Sequence, residues 1–460
     1  MVLSGPRRNS VKTAHPKDGD MSETGDPPSP AGIPILGNGL AFSRDPVRAM
    51  ESWATHGDLV RLRFMDESLY MVTHPELIKQ ILVEDQHKFT IGPEQQQSFE
   101  GIEDAAMTTA TGERWKRLRR ASHPACTRES ITSYGDRMAA VTARFIDEWD
   151  EGERFALHPE IRRLTVQILA ETLLNEDIRG QEDVVIEAAD AFVDRTNFRR
   201  PGQLLPDWIP TPTERRFRRA VQHLDTFVED LVAERQYAET ETNEDVCAML
   251  LAAHEDGELT RTEVKQNLVA FLLAGHESPS GALTHVWYLL ADHPDVYESL
   301  CEEYDQVVEG DRPTIADYDA LEYTQYVVDE TLRLYPPTTG INRQATESVT
   351  LDGYELPPAA QFLIPQWVPH RDKRFWDEPE KFVPDRWTRS VDRPEYAYFP
   401  FSGGPRSCIG ADFARQELTL ALATMVGHVT LDVTTDGPLT FIPSIQLRPA
   451  TEITAEVHHR

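Results

Sequence analysis

Lysine is scarce in this chain. Only 8 of the 46 basic residues are lysine, and 77 aspartates and glutamates outweigh them all, for a formal net charge of −31. Such a balance excludes nucleic acid as a partner, because a polyanion would be repelled. A dense acidic surface also repels itself in dilute buffer, a strain that concentrated salt screens. We read it as a halophile signature, while an acidic mesophilic protein from an arginine-rich coding background gives the same composition. Cysteine is sparse as well: Cys126, Cys247, Cys301 and Cys408 stand far apart with no C-x-x-C spacing. That excludes a disulfide framework and a zinc ribbon, and fits a reducing, cytoplasmic setting. No run of about 18 apolar residues occurs, and the N-terminus lacks the basic, apolar and small segments of a signal peptide, so no membrane span or export is expected. Internal repeats and an interdomain linker are also missing.

With 40% apolar residues the chain has enough material for one large core. Residues 1–30 are polar and rich in Pro, Gly and Ser, and read as a disordered or extended leader in which Met21 is an alternative start. Residues 31–460 read as a single large domain, mainly α with a small β region. Alternating runs such as LVRLRF and LYMVTH predict strands within residues 33–73. Helical patterns dominate residues 75–334. Residues 259–292 carry apolar side chains on nearly every face, as a helix through the core does. Pro279 inside it lacks the N–H that would bond the Gly275 carbonyl and predicts a kink or local opening. Strand-like pieces (SVTLDGYEL, QFLIPQWV), proline-rich loops, a helix from about Ala411 to Val426 and short terminal strands follow.

Residues 401–410, FSGGPRSCIG, place Cys408 in a Gly/Pro-rich loop just before that last helix. A thiolate there faces the positive end of the helix dipole and free N–H groups. Gly403, Gly404 and Gly410 allow a tight backbone against a flat ligand. For an isolated cysteine, a buried inert thiol would be the ordinary reading. This string, however, fits F-x-x-G-x-R-x-C-x-G at each fixed position, and so resembles the haem-ligand segment of the cytochrome P-450 superfamily.

Further motifs follow in family order. Glu330 and Arg333 form a Glu-x-x-Arg pair on one helix face, and Phe382-Val383-Pro384-Asp385-Arg386-Trp387 supplies the downstream arginine. By resemblance, Glu330, Arg333 and Arg386 are a structural lock. Ala274-Gly275-His276-Glu277-Ser278 resembles the oxygen-activation motif, with Ser278 standing where the family has Thr and Pro279 after it. Ser keeps the hydroxyl that such chemistry needs, and a water in the turn opened by Pro279 is expected to help Glu277 relay protons. Trp115 and Arg119 match a W-x-x-x-R pattern that, with Arg343 and Arg406, implies contacts to haem propionates; arginine suits bidentate carboxylate binding. His370 lies in a family stretch and is expected to be structural.

The resemblance covers residues 27 to the end. It implies haem b (iron protoporphyrin IX) lying between the kinked helix and the Cys408 loop, with Cys408 on the iron. It also implies a monooxygenase that inserts one atom of O2 into an organic substrate with two electrons. No glycine-rich nucleotide fingerprint precedes a helix, so a separate ferredoxin or flavodoxin is expected as donor. Arg114, Lys116, Arg117, Arg119 and Arg120 form a basic cluster suited to an acidic donor. Phe89, Phe99, Ile102, Met107, Leu204, Leu205, Phe271 and Ile341 predict an apolar pocket for a lipid, fatty acid or isoprenoid. A monomer is the family default. Rival readings are a peroxide-driven peroxygenase, a haem-thiolate isomerase, and a haem-based sensor or electron carrier.

Overall fold

The computed structural model describes residues 25–460 apart from 34–35, 66, 200–210, 238–244 and 390. Residues 25–30 run extended beside the first strand, where the Arg61 N–H donates to the Pro28 carbonyl at 2.8 Å and Arg61 pairs with Asp26. The end of the expected leader is therefore docked, while residues 1–24, Met21 included, lie outside the described residues.

Two short helices, α1 (Gly39–Arg44) and α2 (Pro46–Ala54), lead into the antiparallel hairpin β1 (Leu59–Phe64) and β2 (Glu67–Val72). Pro46 in the first turn and the Asp45 carboxylate, which accepts the Arg48 N–H, start α2. Next come α3 (Pro75–Lys79), β3 (Phe89–Thr90) and α4 (Pro93–Ser98). The helical body consists of α5 (Gly112–Ser122), α6 (Arg128–Ile146), α7 (Leu157–Leu169), α8 (Asp183–Arg195), α9 (Pro212–Tyr237), α10 (Val246–Glu255), α11 (Arg261–Ala291), α12 (Pro294–Val307) and α13 (Glu322–Leu334), with β4 (Arg154–Ala156) between α6 and α7. The strands β5 (Ile341–Ala345), β6 (Val349–Leu351), β7 (Tyr354–Leu356) and β8 (Gln361–Ile364) follow, then α14 (Ala411–His428), β9 (Val429–Thr435) and β10 (Ile453–His459).

The strands form a five-stranded sheet in the order β1-β2-β8-β5-β3, a three-stranded sheet β4-β10-β9 and the hairpin β6-β7. β2 and β8 run parallel, and the other ladders are antiparallel. Strands of two or three residues such as β3 and β4 carry too short a period to be read from sequence.

Helix α11 crosses the core. Thr260 starts it with a reciprocal capping box: its hydroxyl accepts the Glu263 N–H, and the Glu263 carboxylate accepts the Thr260 N–H. The consecutive residues Leu283, Thr284, His285 and Val286 are all buried, so this part of the helix is enclosed on every side. The helix stays continuous through Pro279, so the expected interruption is a missing N–H rather than a break. Beside it the Thr165 hydroxyl of α7 donates to the His276 carbonyl at 3.1 Å.

Candidate active site

The cysteine loop is built from tight backbone. The Cys408 N–H donates to the Phe401 carbonyl at 2.9 Å, and residues 404–406 make one 3-10 turn. Gly404 sits at φ +67°, and a Cβ there would lie 1.8 Å from the Leu82 carbonyl oxygen, so only glycine fits. Gly410 caps the N-terminus of α14 and has open space where a Cβ would go. Cys408 is exposed, with the Gly410 N–H and the Arg119 guanidinium near its thiol. Burial pushes that thiol up, while the Gly410 N–H and the Arg119 charge pull it down toward thiolate.

Three arginines converge on this loop. Arg119 donates to the Ser407 carbonyl at 2.9 Å, Arg406 donates to the Ala110 carbonyl at 2.9 Å, and the Arg406 guanidinium lies 4.6 Å over the Trp115 ring. Arg343 on β5 is buried and donates to the Asn342 carbonyl. Burial, then the neighbouring Arg406, holds Arg343 down to about 10; burial, then Arg119, does the same to Arg406. Burial also lowers Arg119. None of the three pairs with a carboxylate among the described residues, although acids far outnumber bases in the chain. Buried cations without partners are costly, so this cluster is chemically matched to a ligand carrying carboxylates.

On α11, Phe271, Ala274 and Ser278 recur at spacings of three and four and share one face. This face is partly open, whereas most of the helix is buried. An apolar strip bearing one hydroxyl therefore borders space within the core.

The cytochrome P-450 family model matches residues 27–454. The chain belongs to the cytochrome P-450 family. It is 31% identical over 433 residues to cyclooctatin synthase of Streptomyces melanosporofaciens, covering 92% of each chain. It is 31% identical over 417 residues to pentalenene oxygenase of Streptomyces avermitilis, covering 89% of this chain and 92% of the relative. Cyclooctat-9-en-7-ol 5-monooxygenase of Streptomyces melanosporofaciens is 30% identical, covering 87% of this chain and 88% of the relative. The protein is a P-450 monooxygenase, and its cofactor is haem. The residues present fit that group: a thiol at a helix N-terminus, glycine beside it, and three arginines that have no carboxylate partner among the described residues and would suit two propionates.

Behind the cysteine loop, Glu330 and Arg333 of α13 are both fully buried. Glu330 accepts from Arg333 Nε at 2.9 Å and Nη2 at 2.8 Å, from Arg386 Nε at 2.8 Å, from the Val383 N–H at 2.9 Å and from Trp387 Nε1 at 3.0 Å. Arg333 also donates to the carbonyls of His370, Pro379 and Lys381. His370 is fully buried and neutral, pushed down to about 3 by burial, and its Nε2 accepts the Phe399 N–H. The lock thus ties α13 to the strand-poor segment before the cysteine loop.

The structure revises four expectations. Glu277 does not hang free beside Ser278: it is buried, Arg448 Nε donates to it at 2.7 Å, and Arg162 lies at 3.3 Å. Gly275 turns its missing side chain toward Leu169 of α7, where a Cβ would sit 2.7 Å from a methyl, so its smallness serves helix packing. The basic cluster is mostly neutralised, since Arg117 pairs with Glu263 at 2.6 Å, Arg114 leans on the same carboxylate at 3.5 Å, and Lys116 pairs with Glu113. Phe89 is core: it packs edge-to-face on Phe362 at 5.5 Å. Ile102 is likewise buried, while Phe99, Met107, Phe271 and Ile341 are partly buried, and Leu204 and Leu205 lie outside the described residues. Sequence reasoning missed Arg448, Arg162 and Asp190. No local motif marks them, although a buried acid in α11 signals that some cation must come from elsewhere.

Proposed function

We propose that this protein is a haem-thiolate monooxygenase acting on a ring-bearing isoprenoid, with Cys408 as the iron ligand. The single observation that supports it best is the Cys408 loop beside Arg119, Arg343 and Arg406, which have no carboxylate partner among the described residues. Bound haem would supply activation of O2, one atom entering the substrate and the other leaving as water with two electrons and two protons; a cysteine ligand favours O–O cleavage. Arg119, Arg343, Arg406 and the Trp115 ring would hold the propionates, while Phe401 and Gly410 flank the sulfur. Ser278 offers a hydroxyl on the open face of α11, with Ala274 leaving room above it. Glu277 is a fixed anion held between Arg448 and Arg162, and Glu330, Arg333 and Arg386 keep the proximal segment in place.

The substrate class rests on the apolar face of Phe271 and Ala274 together with the relatives' names, which carry cyclooctatin, pentalenene and cyclooctat-9-en-7-ol. Electrons would come from a separate ferredoxin or flavodoxin. We place the protein in the cytoplasm of a halophilic prokaryote as a soluble monomer, with residues 31–460 as one haem domain. In support, no helix among the described residues is long and apolar enough to cross a membrane, and the net charge is −31.

The test is the carbon-monoxide difference spectrum of the reduced, haem-loaded protein in high and low salt, followed by turnover of pentalenene and cyclooctat-9-en-7-ol with a ferredoxin system. A red-shifted thiolate Soret band, absent in Cys408→Ala, with an oxygenated product, is expected. A histidine-type band, or no haem on folded protein, overturns the reading in favour of a sensor or binding protein. Product formed with peroxide but not with O2 and donor favours a peroxygenase.

A further inference from the structure

The face of α11 that carries Phe271, Ala274 and Ser278 extends one turn further back to Asn267, again at a spacing of four. At Phe271 and beyond the face is partly open, but Asn267 is 1% exposed. What covers it is the segment 99–111, which joins α4 to α5. The Met107 N–H donates to Asn267 Oδ1 at 3.0 Å, and Asn267 Nδ2 donates to the Glu263 carbonyl at 2.6 Å. Both ends of the amide are used, and a flipped amide would set donor against donor, so the orientation is unique. One residue earlier, Gln266 Oε1 accepts the Ala105 N–H. Two adjacent amide side chains thus take two backbone donors from one loop.

The same loop is tied down elsewhere. Phe99 packs on Phe192 of α8 with ring centroids 4.9 Å apart, and Arg195 donates to the Glu100 carbonyl at 2.6 Å. At its far end the Ala110 carbonyl accepts from Arg406 of the cysteine loop. Inside it, Thr108 donates to the buried Glu103 carboxylate and Thr109 to the Glu103 carbonyl. The loop therefore bridges α11, α8 and the cysteine loop, and its edge at Met107 marks where the open face of α11 begins.

We infer that Asn267 is a positioning residue: by clamping the Met107 amide it fixes segment 99–111 as a rigid roof, and so sets the size of substrate that the open face of α11 admits. The inference rests on the haem site proposed above. The buried hydrogen bond matters because an N–H left unsatisfied carries its full desolvation penalty, which moves the loop rather than the helix. A loop held at several points presents one cavity shape, as a selective oxygenase requires.

The test uses the haem-loaded protein with Asn267→Leu and Gln266→Ala, and reads two quantities. Hydrogen exchange reports the amides of residues 105 and 107. Soret titration with imidazole, which fits any cavity, and with 1-tritylimidazole, which must share space with the roof, reports size selection. In Asn267→Leu, exchange at residue 107 is expected to accelerate about tenfold or more. 1-Tritylimidazole should bind about fivefold tighter or more while imidazole stays within about twofold. Gln266→Ala should speed exchange at residue 105 and shift the azole ratio the same way by less, which keeps the inference testable if Asn267→Leu loses haem. Unchanged exchange at residue 107, or an unchanged azole ratio in both variants, overturns it. If the unsubstituted protein gives no Soret shift with imidazole, the haem reading fails instead, and exchange at residues 105 and 107 still decides whether the amides hold the loop.

Discussion

Arg448 and Glu277 lie far apart in sequence but meet in the core, with guanidinium Nε 2.7 Å from carboxylate Oε1. Arg448 also reaches Asp190 at 2.6 Å, and Arg162 bridges the same two acids at 2.8 and 3.3 Å. Burial opposes the charge on Glu277, but Arg448, then Arg162, outweigh it and hold the carboxyl well below the usual range. His276 and His158 beside this cluster are pushed down by burial to about 4 and about 3, and stay neutral. The acid of the oxygen motif is therefore a fixed anion between two cations.

Removing Arg448 leaves Glu277 with one cation. Arg448→Gln is expected to cost about 3–5 kcal/mol, read as a lower denaturant midpoint. Because Glu277 titrates below its unfolded value, its contribution is present at neutral pH and is lost as pH falls. Acid unfolding of Arg448→Gln should thus begin at higher pH, and the double variant Arg448→Gln/Glu277→Gln should regain part of the loss.

Five donors converge on Glu330. Glu330→Gln keeps the shape but replaces a buried anion facing Arg333 and Arg386, and should cost about 3–5 kcal/mol, seen as haem loss at lower denaturant. Trp387→Phe deletes one donor and should cost about 1 kcal/mol.

Ser278 has the hydroxyl on the open face. Ser278→Ala should leave azole binding unchanged but lower product per electron consumed by roughly tenfold or more, with peroxide rising in step. Unchanged coupling would remove Ser278 from the chemistry.

Glu103, 1% exposed, is pushed up to about 7 by burial, with the Thr108 hydroxyl pulling the other way. A carboxyl raised in the fold contributes fully below its unfolded value and loses that contribution as pH rises toward about 7. Segment 99–111 should loosen between about pH 4.5 and 7, by about 3 kcal/mol in total. Hydrogen exchange of the loop across that range checks this, and Glu103→Gln should flatten the dependence.

Arg117→Glu would set two carboxylates together at Glu263, which Arg117 now holds down to about 2. A stability loss of about 2 kcal/mol is expected, whatever the electron donor. Arg120 is exposed, so Arg120→Glu should leave stability unchanged and alter only the salt dependence of reduction.

Legibility in the sequence followed the range of the interaction. The Glu330–Arg333 pair is one helical turn long, and the Cys408 loop precedes its own helix, so both show as local strings. Helix α11 was readable because its run of apolar residues on nearly every face is local, whereas the strand-like piece SVTLDGYEL turned out to be two strands, β6 and β7, joined at Asp352 and Gly353. The basic stretch around Arg117 misled for the converse reason: its neutralising partner, Glu263, belongs to another helix 146 residues on.

By itself the sequence determined the chemistry class of the protein, because a haem-ligand loop and its lock are short-range patterns of residue type and spacing. Only the tertiary structure decided that Arg448, Arg162 and Asp190 surround Glu277, that the Met107 N–H meets Asn267, and that Arg119, Arg343 and Arg406 have no carboxylate partner among the described residues. The partner of a buried charge or amide is whatever long-range packing brings within hydrogen-bonding distance, and burial together with the geometry of the contact sets how much that partner is worth.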